Sequence, residues 1–208
     1  MNLRTSIAYA FVGLLLFSCA PIRTLPLENP AFAQAYQLRL GHLQAVSHWA
    51  LDGRIAISDG KEGGSGNLLW FHDDRVTRMS FHGALGKGAW QLQADASGAR
   101  LELANGSVHQ ATSITELVLK QVGWKVPVDA LSWWIKGLAQ PDKWETRTMD
   151  EKGRLKSLQQ FGWDVDFDNY GEQDSYWLPA KLTARHGKYS VKMVVRRWRL
   201  GEGGAALE

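Results

Sequence analysis

From Trp49 onward the side chains alternate: Trp49, Leu51, Gly53, Ile55 and Ile57 fall on one face, and Ala50, Asp52, Arg54, Ala56 and Ser58 on the other. Period 2 is strand geometry, because successive Cβ atoms point to opposite faces of a sheet, and an apolar row opposite a polar row means one face covered and one wet. The pattern returns in GNLLWFH, TRMSF, AWQLQA, ARLELA and SVHQA, and after a gap in WETRTM, RLKSLQQF, WDVDFD, YWLPAKLTA and YSVKMVVRRW. Turn-rich stretches such as DGKEGGSG and FHGALGKG separate neighbouring runs, so consecutive strands pair as antiparallel hairpins.

Three stretches break this period. Asn29-Pro30 has the form of an N-cap followed by proline in the first turn, and Phe32, Ala35, Tyr36, Leu40 and Leu43 follow at helical spacing to about residue 46. Ser113 and Glu116 make a capping box ahead of Ile114, Leu117, Val118 and Val122. Beyond Gly123 and Pro127, a second short helix carries Leu131, Trp134, Ile135 and Leu138 on one stripe. Six or so strands, two helices and five or so strands predict a mainly β, α+β fold: one large, strongly curved antiparallel sheet with helices on a single side. No second domain boundary interrupts residues 30–200.

Ten of the 208 residues are tryptophan, and Trp49, Trp90 and Trp163 lie on apolar faces. Ordinary cores favour Leu, Ile and Val, which leave fewer polar atoms to satisfy. The excess fits either a wide apolar cavity or a Trp-rich filled core.

The N-terminal residues read differently from the rest. Arg4, an apolar run from Ile7 to Phe17 and the small Ser18 make residues 1–18 an export signal, because the run is too short to span a bilayer comfortably. Leu16-Phe17-Ser18-Cys19 resembles the bacterial lipobox, which implies cleavage before Cys19 and lipidation of that only cysteine with a diacylglycerol thioether and an N-acyl chain. One chain anchors only marginally whereas several hold firmly. Ala20 stands where an Asp commonly retains lipoproteins in the inner membrane, so the resemblance implies the outer membrane. Residues 19–29 read as the lipidated cysteine and a flexible linker, and residues 201–208 as a disordered tail.

Several activities find no support. The formal charge of +3 falls by one unit when the signal is removed, so no concentrated basic face marks a nucleic-acid partner. The six histidines lack ligand spacing, and one cysteine excludes a Cys-based zinc site, so no metal or other cofactor is expected. GGSGN misses G-x-S-x-G by one position, and neither GALGKG nor DGKEGG matches a phosphate loop. Asp164, Asp166 and Asp168 alternate with Val165 and Phe167 as the wet face of a strand would, and Asn169 occupies the position an EF-hand loop gives to glycine. Arg196, Arg197 and Arg199 fit either a solvated sheet edge or a headgroup contact. A hydrolase using Asp142 or Asp174 cannot be assembled from spacing alone.

The ordered motifs resemble those of the LolB family of outer-membrane lipoprotein receptors: W-x-L-x-G-R from Trp49 to Arg54, G-x-L-x-W from Gly66 to Trp70, A-L-G at 84 to 86 where the family commonly has P-L-G, V-P-V with L-x-x-W-I-x-G-L from Val126 to Leu138, Q-x-G-W from Gln160 to Trp163, and L-P-x-x-L from Leu178 to Leu182. The resemblance implies an open half-barrel of about eleven strands whose concave apolar face is covered by about three helices. It also implies a non-enzymatic function: accepting lipoproteins from the periplasmic carrier LolA and inserting them into the outer membrane, as a monomer that meets outer-membrane phospholipid. By matching positions, Trp70, Trp134 and Trp163, with Leu131, Ile135 and Leu138 on the covering helix, are expected to line an acyl-chain cavity, together with Leu68, which shares a face with Trp70, and Trp90 on its apolar face. Leu85, which a glycine-rich turn does not itself require, is expected on a protruding membrane-insertion loop, with Lys87 meeting headgroup phosphate. The alternative is a Trp-rich β module that binds cell-envelope polysaccharide on exposed aromatics.

Overall fold

A computed structural model describes residues 29–84, 88–123, 125–143 and 145–201. The order is α1 (Pro30–Gln44), β1 (Trp49–Ser58), β2 (Gly63–His72), β3 (Thr77–Gly83), β4 (Trp90–Asp95), β5 (Gly98–Leu103), β6 (Val108–Ala111), α2 (Ile114–Val122), α3 (Val128–Trp134), β7 (Glu145–Met149), β8 (Leu155–Gln160), β9 (Trp163–Gln173), β10 (Tyr176–His186) and β11 (Tyr189–Leu200). The strands form one open 11-stranded sheet in the order β6-β5-β4-β3-β2-β1-β11-β10-β9-β8-β7, every neighbouring pair antiparallel. It is two meanders joined along β1 and β11. The signal segment, Cys19, the Leu85–Lys87 segment and residues 202–208 lie outside the described residues.

The β1–β11 seam explains two sequence features. The register shifts between Asp52 and Gly53, so that Asp52 faces Arg197 and Gly53 faces Val195, leaving Arg196 as the extra residue of a bulge. A Cβ on Gly53 would lie 2.7 Å from the Val194 carbonyl oxygen, so the glycine of W-x-L-x-G-R is a close-approach residue. Arg196 donates to Asp52 at 2.6 Å across the bulge. The edge reading of the arginine run holds only locally: β11 lies mid-sheet, but it pairs with β10 only over residues 189–194, so the exposed Arg196 and Arg197 lie on a stretch that has β1 alone as its neighbour. On β9, the alternating aspartates pair outward, Asp166 with Arg185 at 2.6 Å and Asp168 with Lys181 at 3.5 Å.

The apolar rows face the helices and form one continuous core. Asn29 caps α1 through the Ala31 N–H, and the helix buries Tyr36 and Leu43. The β7–β8 turn packs onto it so closely that a Cβ on Gly153 would lie 2.3 Å from the Tyr36 amide nitrogen. The Ser113 hydroxyl oxygen caps α2 by accepting from the Glu116 N–H, while the Glu116 carboxylate accepts from Thr112 and Lys120. Gly123, at φ 74°, ends that helix.

The stripe expected as helix through residue 138 is helical only to Trp134. Gly137, at φ 72°, turns the chain: its N–H bonds to Trp134 O at 2.8 Å, and the Leu138 N–H to Trp133 O at 3.2 Å, the Schellman pattern. Ile135 and Leu138 are buried on that turn.

Candidate functional site: an apolar cavity at one end of the half-barrel

Because the strands run alternately up and down, the turns fall into two sets at opposite ends of the sheet. One set contains the β1–β2, β3–β4, β5–β6, β8–β9 and β10–β11 connections. Between these turns and the α2–α3 connection lies a cavity of about 900 Å³. Apolar side chains from every side contribute to its wall: Ile57 from β1, Phe81 and Trp90 from β3 and β4, Leu103 from β5, Val126 from the connection, Trp163 from β9 and Tyr189 from β11. Polar and charged groups, among them Ser58, Asp59, Glu62, Asn105, Gln121 and Lys125, join them. Ala84 and Gly88, which flank the Leu85–Lys87 segment, also line the cavity.

Phe81 and Trp90 stack with ring centroids 5.4 Å apart and planes at 18°. Gly66 makes room for this: a Cβ there would lie 2.7 Å from the Phe81 ring and 2.3 Å from His82 O. The glycine of G-x-L-x-W thus lets an aromatic ring lie across β2 where the wall needs it.

At the other end the concave face is filled. Trp49 packs edge-on against Trp70 at 5.3 Å and Trp198 at 5.7 Å. Trp134 is anchored by Gln160, a polar side chain only 1% exposed. Gln160 Oε1 accepts from Trp134 Nε1 and from the Gln140 N–H, both at 3.0 Å, and its Nε2 donates to Gln140 O at 2.9 Å. Every polar atom of this buried amide is used, which fixes α3 and the turn after it against β8. Tyr36 adds a second tie, its hydroxyl accepting from the Ala139 N–H at 3.0 Å.

The residues expected to line the cavity therefore divide. Trp90 and Trp163 are on the wall. Leu68, Trp70, Leu131, Trp134, Ile135 and Leu138 are buried in the packed core that floors and backs it. Ile57, Phe81, Leu103, Val126 and Tyr189 were not singled out in the sequence, although Ile57 and Phe81 carried the signal of an inward alternation. Cys19, Leu85 and Lys87 are outside the described residues.

Titratable groups near the core are charge-poor by environment. Lys136 is 7% exposed, with Nζ 4.6 Å from the Trp133 ring centroid. Burial lowers its pKa to about 8. Burial, then the charge of Lys136, lowers that of His72. The Tyr170 hydroxyl, which donates to Leu155 O at 2.9 Å, is pushed up by burial. None of these groups lines the cavity.

The fold is thus an open antiparallel half-barrel, filled by helices at one end and hollow at the other, and it has a counterpart among solved structures. The structure of a LolA superfamily protein from Nitrosomonas europaea superposes with a TM-score of 0.54 at 5% identity, covering 80% of this chain and 94% of that one. Residues 47–198 match the family described as outer membrane lipoprotein LolB. The outer-membrane lipoprotein LolB of Pseudomonas fluorescens is 34% identical over 199 residues, 95% of this chain and 97% of the relative. That of Pseudomonas aeruginosa is 33% identical over the same shares. The chain belongs to the outer-membrane lipoprotein LolB family. The polysaccharide reading needs a row of exposed aromatics; among the described tryptophans Trp49, Trp70, Trp90, Trp134, Trp163 and Trp198 are buried and Trp177 alone is exposed.

Proposed function

We propose that this protein receives lipoproteins from a LolA-type periplasmic carrier, shelters their acyl chains in the cavity at the open end of the half-barrel, and inserts them into the outer membrane. The observation that carries this reading is an apolar cavity of about 900 Å³ whose wall includes both flanks of the Leu85–Lys87 segment. A saturated C16 chain has about fifteen methylenes, so exposing one chain to water costs roughly 12 kcal/mol. Sheltering is therefore obligatory in transit. Release is obligatory too, and a predominantly apolar wall grips hydrocarbon without a directional bond that would hold it back. Transfer then runs downhill if the cavity binds the chains more tightly than the carrier and less tightly than the bilayer. No covalent step is required, and a monomer suffices.

In this reading Cys19 carries the lipid anchor, Leu85 enters the acyl region when the loop meets the membrane, and Lys87 meets phosphate. Ala84, in place of the proline common in the family, sits at the cavity edge. The experiment mixes the protein with a carrier loaded with one purified lipoprotein and follows the lipoprotein to the protein and then to vesicles. Leu85→Glu is expected to leave uptake unchanged and to reduce insertion at least tenfold. Lost uptake in that variant, or full insertion, would contradict the assignment.

A further inference from the structure

β8 and β9 are joined by the two-residue turn Phe161-Gly162, since Gln160 pairs with Trp163. Both residues have positive φ, 54° and 75°. That is the type I′ pattern, which suits the twist of a hairpin and favours Asn, Asp or Gly at its first position. A phenylalanine in the left-handed region costs about 1–2 kcal/mol. Here the ring is 44% exposed, so burial does not offset that cost. The β9–β10 turn meets the same geometric demand with Asp174-Ser175, at φ 47° and 70°. Hairpin formation does not account for Phe161.

Its position does. The Gly162 carbonyl accepts from His186 Nδ1 at 2.7 Å, and the His186 ring stacks on Trp163, a cavity-wall residue, at 5.6 Å. Phe161 thus stands on the cavity rim. On the same rim Lys125 and Lys188 each place Nζ 5.4 Å from the centroid of Tyr189, another wall residue. Asp59 on the adjacent turn is committed locally, accepting from the Lys61 and Glu62 N–H groups. An exposed aromatic ring beside lysines suits the headgroup boundary of a bilayer, where the ring gains burial and the ammonium groups meet phosphate.

We propose that Phe161 is a membrane-contacting residue that seats the cavity rim on an anionic phospholipid surface. The proposal rests on reading the cavity as the acyl-chain site.

The test uses the mature lipoprotein in vesicles of phosphatidylethanolamine and phosphatidylglycerol. Lipidated Cys19 has no free thiol, so Phe161→Cys supplies a unique labelling site, and Ala96→Cys on an exposed turn at the far end supplies the control. A fluorophore at 161 is expected to be quenched by spin-labelled acyl chains several-fold more than one at 96; equal quenching overturns the proposal. Phe161→Asn should fold with an equal or higher Tm, because it restores the residue the turn favours. It should accept lipoprotein from the carrier at the wild-type rate and insert it several-fold more slowly, and Phe161→Leu should recover most of the loss. A drop in Tm, or unchanged insertion by Phe161→Asn, overturns the proposal. If the wild-type protein takes up no lipoprotein, the functional reading fails by itself, and the quenching comparison still decides the membrane contact.

Discussion

Lys136 shows how one residue can be invisible in sequence and costly in structure. It occupies the variable position of L-x-x-W-I-x-G-L, outside the Leu131, Trp134, Ile135, Leu138 stripe, where helical periodicity points to solvent. The helix ends first, and the turn through Gly137 buries it over Trp133, with no carboxylate of the described residues in ion-pair range. Its pKa is about 8 when folded against 10.5 in the open chain. Between those values the unfolded chain holds a proton that the folded protein has released, so stability rises with pH across that window; below it the penalty is constant. Lys136→Met is expected to stabilise the protein by about 2 kcal/mol at pH 7. It should also flatten the rise between pH 8 and 10. Urea unfolding of both proteins at pH 7 and pH 9.5 checks this, and parallel shifts in both would contradict it.

At the scale of elements, periodicity identified the strands and the helical stripe but not what each would face. Alternation fixes the face of a strand that a side chain occupies, and says nothing about which end of the sheet it reaches. Leu68 and Trp70 share a face with Ile57 and Phe81, yet only the latter two border the cavity, because only strand order decides which turns converge. The arginines of β11 show the same limit: polarity reported exposure, but not that their stretch pairs with β1 alone while the rest of the strand also pairs with β10. Gln160 is the clearest omission. A glutamine beside a turn reads as surface, whereas here it holds Trp134 and both backbone groups of Gln140. Gln160→Leu leaves two donors and one acceptor without their partner, and is expected to cost about 3 kcal/mol. A loss below about 1 kcal/mol in equilibrium unfolding would show that the amide does not anchor α3.

For the whole molecule, two meanders meet at the β1–β11 seam, and the helices between them fill one end of the trough. The count of strands and helices and their order along the chain were legible, because hairpins join sequence neighbours and the apolar faces announce a shared core, whereas the open half-barrel came only from the family resemblance. The polarity of the molecule was not: one end is packed with Trp49, Trp70, Trp134 and Trp198, and the other is hollow. The most direct test of acyl-chain binding at the hollow end uses two half-buried tyrosines. Tyr189 lines the cavity, and Tyr176 stands on β10 at the packed end. Each is replaced singly by a photo-reactive benzoylphenylalanine, the protein is loaded from the carrier, and adducts to the acyl chains are measured. The account predicts adducts at 189 and few at 176. Adducts at 176 alone, or at neither position in a loaded protein, would contradict it.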